Sequence, residues 1–209
     1  IYSDGALTIS QSENSKSTTI RTAQGGTSTN GTGGSGIYSC DTLTISQRDN
    51  STSTTIGTTQ GGTSTNGTGG NGIYSSGNLF ISKSAAITDA TGGASTDDTG
   101  GYGIHSGSML TISDNATITN ATGNKATGNG NGGSGIFSDG MLSIDSATIT
   151  NATGGDADNG TGGSGIRGDG SNDKLSIYNA TITNATGGNG KSGGSGLFGK
   201  TMEIISNAI

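Results

Sequence analysis

An aliphatic residue preceded by glycine returns through this chain at a regular interval. It stands at Ile1 (where the chain opens, without the glycine), Ile37, Ile73, Ile104, Ile136, Ile166 and Leu197, with spacings of 36, 36, 31, 32, 30 and 31 residues. Self-similarity at a period of about 20–50 residues marks solenoids, propellers and arrays. The repeats divide the chain into blocks 1–36, 37–72, 73–103, 104–135, 136–165, 166–196 and a partial 197–209, which read as one solenoid domain. Blocks one and two share 27 of 36 residues, which points to recent duplication and a variable length.

Each block reads as three short strands and one long loop. In the fourth, Gly103 to Ser106 is the first strand, Leu110 to Ser113 the second and Ala116 to Thr119 the third, with Asp114-Asn115 turning the corner between the last two. Alternation with period two puts Leu110, Ile112, Ala116 and Ile118 on one face and Thr and Ser on the other. The stretch from Asn120 to Gly135 is rich in Gly, Asn and Thr and leads to the next block. Stacked blocks would align Ile9, Ile45, Ile81, Ile112, Ile144, Ile177 and Ile204 in one core column. A second column would hold Ile20, Ile56, Ile87, Ile118, Ile149, Ile182 and Ile209.

Composition decides against the alternatives. Glycine supplies 43 residues, and with 34 Thr, 30 Ser and 18 Asn it makes up about 60% of the chain. These are poor helix formers, and Pro is absent. Hydrophobic content of 26% would read as disorder, were the few aliphatics not so regularly placed. A narrow solenoid needs few of them, because each coil is covered by its neighbours. The expectation is an all-β, three-sided parallel β-helix of about seven coils, with one long Gly-rich loop per coil. Polar insertions between second and third strands, such as Gln11 to Ser17, are expected to loop into solvent, and Ser171-Asn172-Asp173 reads as an insertion between the first and second strands of the sixth block.

Several residues invite a functional reading. Asp89, Asn120, Asn151 and Asn184 fall at the ends of the expected third strands and would stack as a ladder, since Asn both donates and accepts. Thr117 and Thr119, Thr148 and Thr150, and Thr181 and Thr183 flank inward isoleucines, so stacking would array them outward. Such Thr-x-Thr arrays resemble those of ice-binding proteins, although Thr fills exposed strand positions on propensity alone. The single His105 takes a place held by Tyr2, Tyr38, Tyr74 and Phe137 elsewhere, and reads as their amphipathic stand-in. Asp139, Asp145, Asp169 and Asp173 are scattered carboxylates with no fixed partner base, so the motif case for catalysis is empty. No catalytic residue, metal ligand or cofactor is assigned. Arg167-Gly168-Asp169 spells an integrin-type tripeptide that a Gly-rich chain produces by chance. Asp156-x-Asp158-x-Gly160 carries part of a calcium loop without its terminal Glu. Cys40 is the lone cysteine and reads as an incidental surface or turn residue.

A net charge of −6 and a pI near 4.4 argue against an electrostatic nucleic-acid binder. No apolar run approaches the length of a membrane helix, about 20 residues.

The segment Gly132 to Gly155, Gly-Gly-Ser-Gly-Ile-Phe-Ser-Asp-Gly-Met-Leu-Ser-Ile-Asp-Ser-Ala-Thr-Ile-Thr-Asn-Ala-Thr-Gly-Gly, resembles the Gly-rich repeats of bacterial surface proteins. Polymorphic outer-membrane proteins and autotransporter passenger domains are the families it is similar to. That resemblance implies a right-handed β-helix and a secreted or surface-displayed rod, adhesive or structural. The expected role is a non-enzymatic extracellular structural protein, a stalk or filament segment whose partner is a second copy of itself. The alternatives are a surface adhesin that binds glycans and an ice-binding Thr face.

Overall fold

The computed structural model describes residues 1–12, 15–48, 53–169 and 174–206. Among them the chain forms three parallel sheets and no helix. First strands are Tyr2–Ser3, Ile37–Ser39, Ile73–Ser75, Ile104–Ser106, Ile136–Ser138, Ile166–Gly168 and Leu197–Phe198. Second strands are Leu7–Ile9, Leu43–Ser46, Leu79–Ser82, Leu110–Ile112, Leu142–Asp145, Lys174–Tyr178 and Thr201–Ile205. Third strands are Ser17–Gln24, Ser53–Gln60, Ala86–Thr91, Thr117–Thr122, Thr148–Thr153 and Thr181–Thr186. Each sheet contains every third strand in chain order, so the architecture is a three-sided β-solenoid of six complete turns. A seventh turn is begun, and Ile209, expected to end the second core column, lies outside the described residues.

Pairing is in register from coil to coil. Ile104 sits between Ile73 and Ile136, Ile112 between Ile81 and Ile144, and Ile118 between Ile87 and Ile149. These isoleucines are fully or almost fully buried. Burying each one stabilises the fold by about 1.5–3 kcal/mol relative to leaving it in water, so a slender core suffices when every coil contributes to it.

The corner between second and third strands uses left-handed backbone. Lys83, Ser84, Asp114 and Asn115 have φ between 52° and 61°, and Ser146 and Asn179 take 50° and 45°. Asn and Asp tolerate this conformation best among non-glycine residues, which accounts for the Asp-Asn turn in coil four.

Three features differ from the sequence reading. Gln11 is buried, with 3% of its surface exposed. Its Nε2 donates to Thr54 Oγ1 at 2.6 Å, and its Oε1 accepts from the Arg48 backbone N–H at 2.7 Å. The start of that polar insertion therefore ties coil one to coil two, because the third strands there begin two positions earlier and bring Thr54 inward. The Ser171 to Asp173 insertion lies outside the described residues.

Third strands also run past the Asn positions. Ala90, Ala121 and Ala152 are buried beyond them, and the strand bends at Thr119-Asn120, where both side chains face outward or sit half-exposed.

The Gly-rich stretch is not an open loop. Gly62 N–H donates to Gly34 O, Gly70 to Gly62, Gly93 to Gly70 and Gly101 to Gly93, all at 2.7–2.8 Å. The chain of bonds continues through Asn124, Gly133, Gly155, Gly163 and Gly188 to Gly194. Two limbs of each loop thus face each other backbone to backbone, and one zigzag of hydrogen bonds runs the length of the rod. A Cβ at Gly101 would sit 1.9 Å from Gly70 O, so only glycine fits there.

Close approach also explains the glycine before each first strand. At Gly103 a Cβ would lie 2.6 Å from Gly135 O, and among the described residues no glycine has positive φ.

Candidate functional site

The first-strand sheet presents its inward positions as Ile then Ser, and its outward position as a ring or a cation. The inward serines Ser39, Ser75, Ser106 and Ser138 are fully buried. Each hydroxyl donates to carbonyls of the neighbouring turns. Ser75 Oγ reaches Asp41 O at 2.7 Å and Asn78 O at 2.8 Å, and Ser138 Oγ reaches Ser108 O at 2.7 Å. In coil six Gly168 takes this place and leaves the column one hydroxyl short.

Outside, Tyr2, Tyr38, Tyr74, His105, Phe137, Arg167 and Phe198 pair successively along the sheet. Ring centroids are 5.1 Å apart for Tyr2–Tyr38, 5.2 Å for Tyr38–Tyr74, 4.8 Å for Tyr74–His105 and 5.0 Å for His105–Phe137. The Arg167 guanidinium lies 5.6 Å from the Phe137 centroid and 5.1 Å from that of Phe198, within the range of cation–π attraction. Tyr102, from the Gly-rich limb of coil three, closes on this ladder. It stacks on Phe137 at 4.6 Å and meets His105 edge to face at 4.8 Å.

The ionic groups of the ladder are paired, although the buried Arg167 Nε has no hydrogen-bond partner. His105 Nε2 lies 3.0 Å from Asp139 Oδ2, and since an ionised carboxylate only accepts, Nε2 is the ring nitrogen that donates. Asn71 Oδ1 accepts the Tyr102 backbone N–H at 3.0 Å, which turns its Nδ2 toward His105 Nδ1 at 3.5 Å. Arg167 pairs with Asp169 at 2.5 Å, so the two ends of the Arg-Gly-Asp tripeptide are bound to one another. Burial pushes the Tyr102 phenol above its ordinary pKa; Arg167 opposes that rise and Asp139 adds to it. Burial also raises Tyr74, with Asp139 second, and Tyr38 is raised chiefly by its hydrogen bond to Cys40.

A His–Asp pair is the base half of a nucleophilic site, but the adjacent hydroxyl, Ser106, faces the core and bonds Gly77 O and Met109 O. The pair is a rung of the ladder. Among the described residues no cluster of three or more His, Cys, Asp or Glu is placed to hold a metal ion. Asp156, half of the partial calcium loop, accepts instead from the Asn189 backbone at 2.7 Å.

The Asn positions form a continuous chain on the third sheet. Asn184 Nδ2 donates to Asn151 Oδ1 at 2.9 Å, Asn151 to Asn120 at 2.9 Å, and Asn120 to Asp89 Oδ1 at 2.6 Å. Thr117, Thr148 and Thr181 align as one exposed column. Thr119 and Thr183 are exposed and Thr150 is half-exposed. In earlier coils these positions become Ala86, Gly57 and Arg21, so the array spans only part of the sheet.

Beside the ladder lies a groove of about 720 Å³ in coils one to four. It is lined by Ile1 and Tyr2, by the rings of Tyr38, Tyr74, Tyr102 and His105, and by Gly-rich limbs with Gln24, Thr32 and Asn71. Sequence reasoning missed this site, although the recurring ring position was visible.

No protein-family model matches the chain, no curated protein matches it, and no solved structure matches it.

Proposed function

We propose that the chain is a structural element: a β-solenoid stalk or self-assembling filament segment, displayed outside the cell. One observation carries this reading. The ionic side chains of the ladder and the Asn chain of the third sheet are spent mostly on contacts between coils: His105 on Asp139 of the next coil, Arg167 on rings of the coils either side as well as on Asp169 of its own, and the Asn amides on the coil before. A chain whose polar residues join coil to coil is suited to holding its own shape along an axis.

Extracellular display rests on the resemblance of Gly132 to Gly155 to bacterial surface repeats. Strand edges that lie uncovered along a solenoid axis promote association with further strands. Contacts of this head-to-tail kind do not close on themselves and give filaments. We read the Thr columns as strand-forming surface residues, because Ala86, Gly57 and Arg21 interrupt them.

Electron microscopy of the purified chain across a concentration series tests the filament form. Fibres of uniform width that lengthen with concentration support it. Short monodisperse particles at every concentration overturn it and leave the stalk. Among the described residues no helix is long and apolar enough to cross a membrane.

A further inference from the structure

We propose that the groove beside the aromatic ladder binds a neutral oligosaccharide. Three observations converge on that chemistry. The first is the lining. Tyr38, Tyr74, Tyr102 and His105 offer ring surface, and Gln24, Thr32 and Asn71 offer amides and a hydroxyl. Among the described residues no Asp, Glu, Lys or Arg lines it, and the chain carries −6 overall. Such a wall suits a ligand with apolar C–H faces and many uncharged hydroxyls, and it lacks the Lys and Arg side chains that hold a sulfated or phosphorylated one.

The second observation is that the ladder is broken here. Tyr2 and Tyr38 stack nearly parallel, 13° apart, but Tyr38 and Tyr74 are tilted by 59°. At that rung a ring face is not covered by its neighbour and can meet a pyranose ring. Further along, Phe137 is buried and Arg167 fills the space between rings, so the ladder is closed there.

The third is that the groove's inner end is built. Tyr102 stands where coils one, two and four have Ser35, Asn71 and Ser134. Its backbone is held by Asn71 Oδ1 and its ring by Phe137 and His105. The small residues Ser35 and Asn71 leave the groove open alongside coils one and two, and the large Tyr102 ends it. The volume lies within the range of about 300–1,000 Å³ usual for ligand sites, enough for a few sugar rings. Asn71 is a positioning residue for Tyr102 as well as a wall.

This inference stands apart from end-to-end assembly, since it is tested at concentrations where the chain is monodisperse. Cellohexaose, maltohexaose and chitohexaose are each titrated into the full chain, followed by calorimetry and by tyrosine fluorescence, which is clean because the chain has no Trp. Saturable binding of at least one is expected, weakened about tenfold or more in Tyr74→Ala and in Tyr102→Ser, a loss of one good stacking contact. Tyr102→Ser installs the residue that coils one and four already carry. Asn71→Ser installs that of coil one, and should weaken binding severalfold while circular dichroism stays unchanged. Failure of all three sugars to bind overturns the proposal. So does binding that survives both tyrosine substitutions in folded protein, or equal competition by a heparin hexasaccharide. Should a tyrosine variant not fold, Asn71→Ser decides, and undiminished binding there overturns the proposal.

Discussion

Asn120 donates its Nδ2–H to Asp89 Oδ1 at 2.6 Å, and this contact gives the Asn chain a direction. Asn151 and Asn184 likewise donate toward the earlier coil, and Asn120 and Asn151 accept from the later one. Asp89 can only accept, so it fits at the foot of the chain and nowhere above it. Asn120→Asp should therefore set two carboxylates face to face and cost about 1–2 kcal/mol at neutral pH. The loss should shrink in high salt, which screens like charges. Urea melts at low and high salt check this, and an equal loss at both would refute the polarity argument.

The glycine zipper makes a sharper contrast. A Cβ at Gly101 would meet Gly70 O at 1.9 Å, whereas one at Gly26 has nothing within 4 Å. Gly101→Ala is expected to cost more than about 3 kcal/mol, because two backbones must part. Gly26→Ala should leave Tm unchanged or slightly raised. Thermal melts of the two variants side by side test whether the limbs are packed as described.

Gly168 offers a gain. Its place in the Ser column has room, with the nearest heavy atom to a Cβ being Leu142 Cβ at 3.5 Å and Gly140 O at 3.8 Å. In the coil before, Ser138 Oγ bonds the corresponding carbonyl of Ser108. Gly168→Ser should complete the column and stabilise the rod by about 1 kcal/mol, from one more hydrogen bond and a less flexible unfolded chain. Gly168→Ala, which lacks the hydroxyl, should gain less. Equal gains would show that the bond does not form.

The phenols predict an alkaline limit. Burial raises Tyr74 and Tyr102 above their unfolded value of about 10. As pH rises the unfolded chain loses these protons first, so the unfolded state is favoured. Stability from these groups is whole below about pH 10 and is lost as pH climbs through the folded values. Phenolate absorbance and melting followed together should show late ionisation that includes these two tyrosines, and Tyr74→Phe with Tyr102→Phe should flatten the decline.

Much of this fold is legible in the sequence, because isoleucine columns and Asp-Asn corners obey local rules. Ile112 and Ile118 are buried where alternation puts them, and Asp114-Asn115 turns where short polar residues tolerate left-handed backbone. What escapes that reading has a common cause. Ser106 and Gln11 are polar residues that face inward, and only their partners in other coils explain why. Paired glycines carry no side-chain signal of the bonds that join them. Tyr74, His105, Phe137 and Arg167 look unrelated along the chain and become one ladder once the period aligns them. The groove depends on a single exchange, a large Tyr102 where Ser35 and Asn71 stand in earlier coils, which no periodicity reveals.

The central claim is that the chain is a rod whose length is set by the number of stacked coils. Residues 37–72 form one whole repeat and share 27 of 36 residues with the block before. Inserting four further copies of it and comparing the longest dimension by small-angle X-ray scattering tests the claim most directly. The account predicts an increase of about 4.8 Å per added repeat, close to 19 Å in all, at constant cross-section. Growth in cross-section instead, or a scattering curve of an unfolded chain, would contradict it.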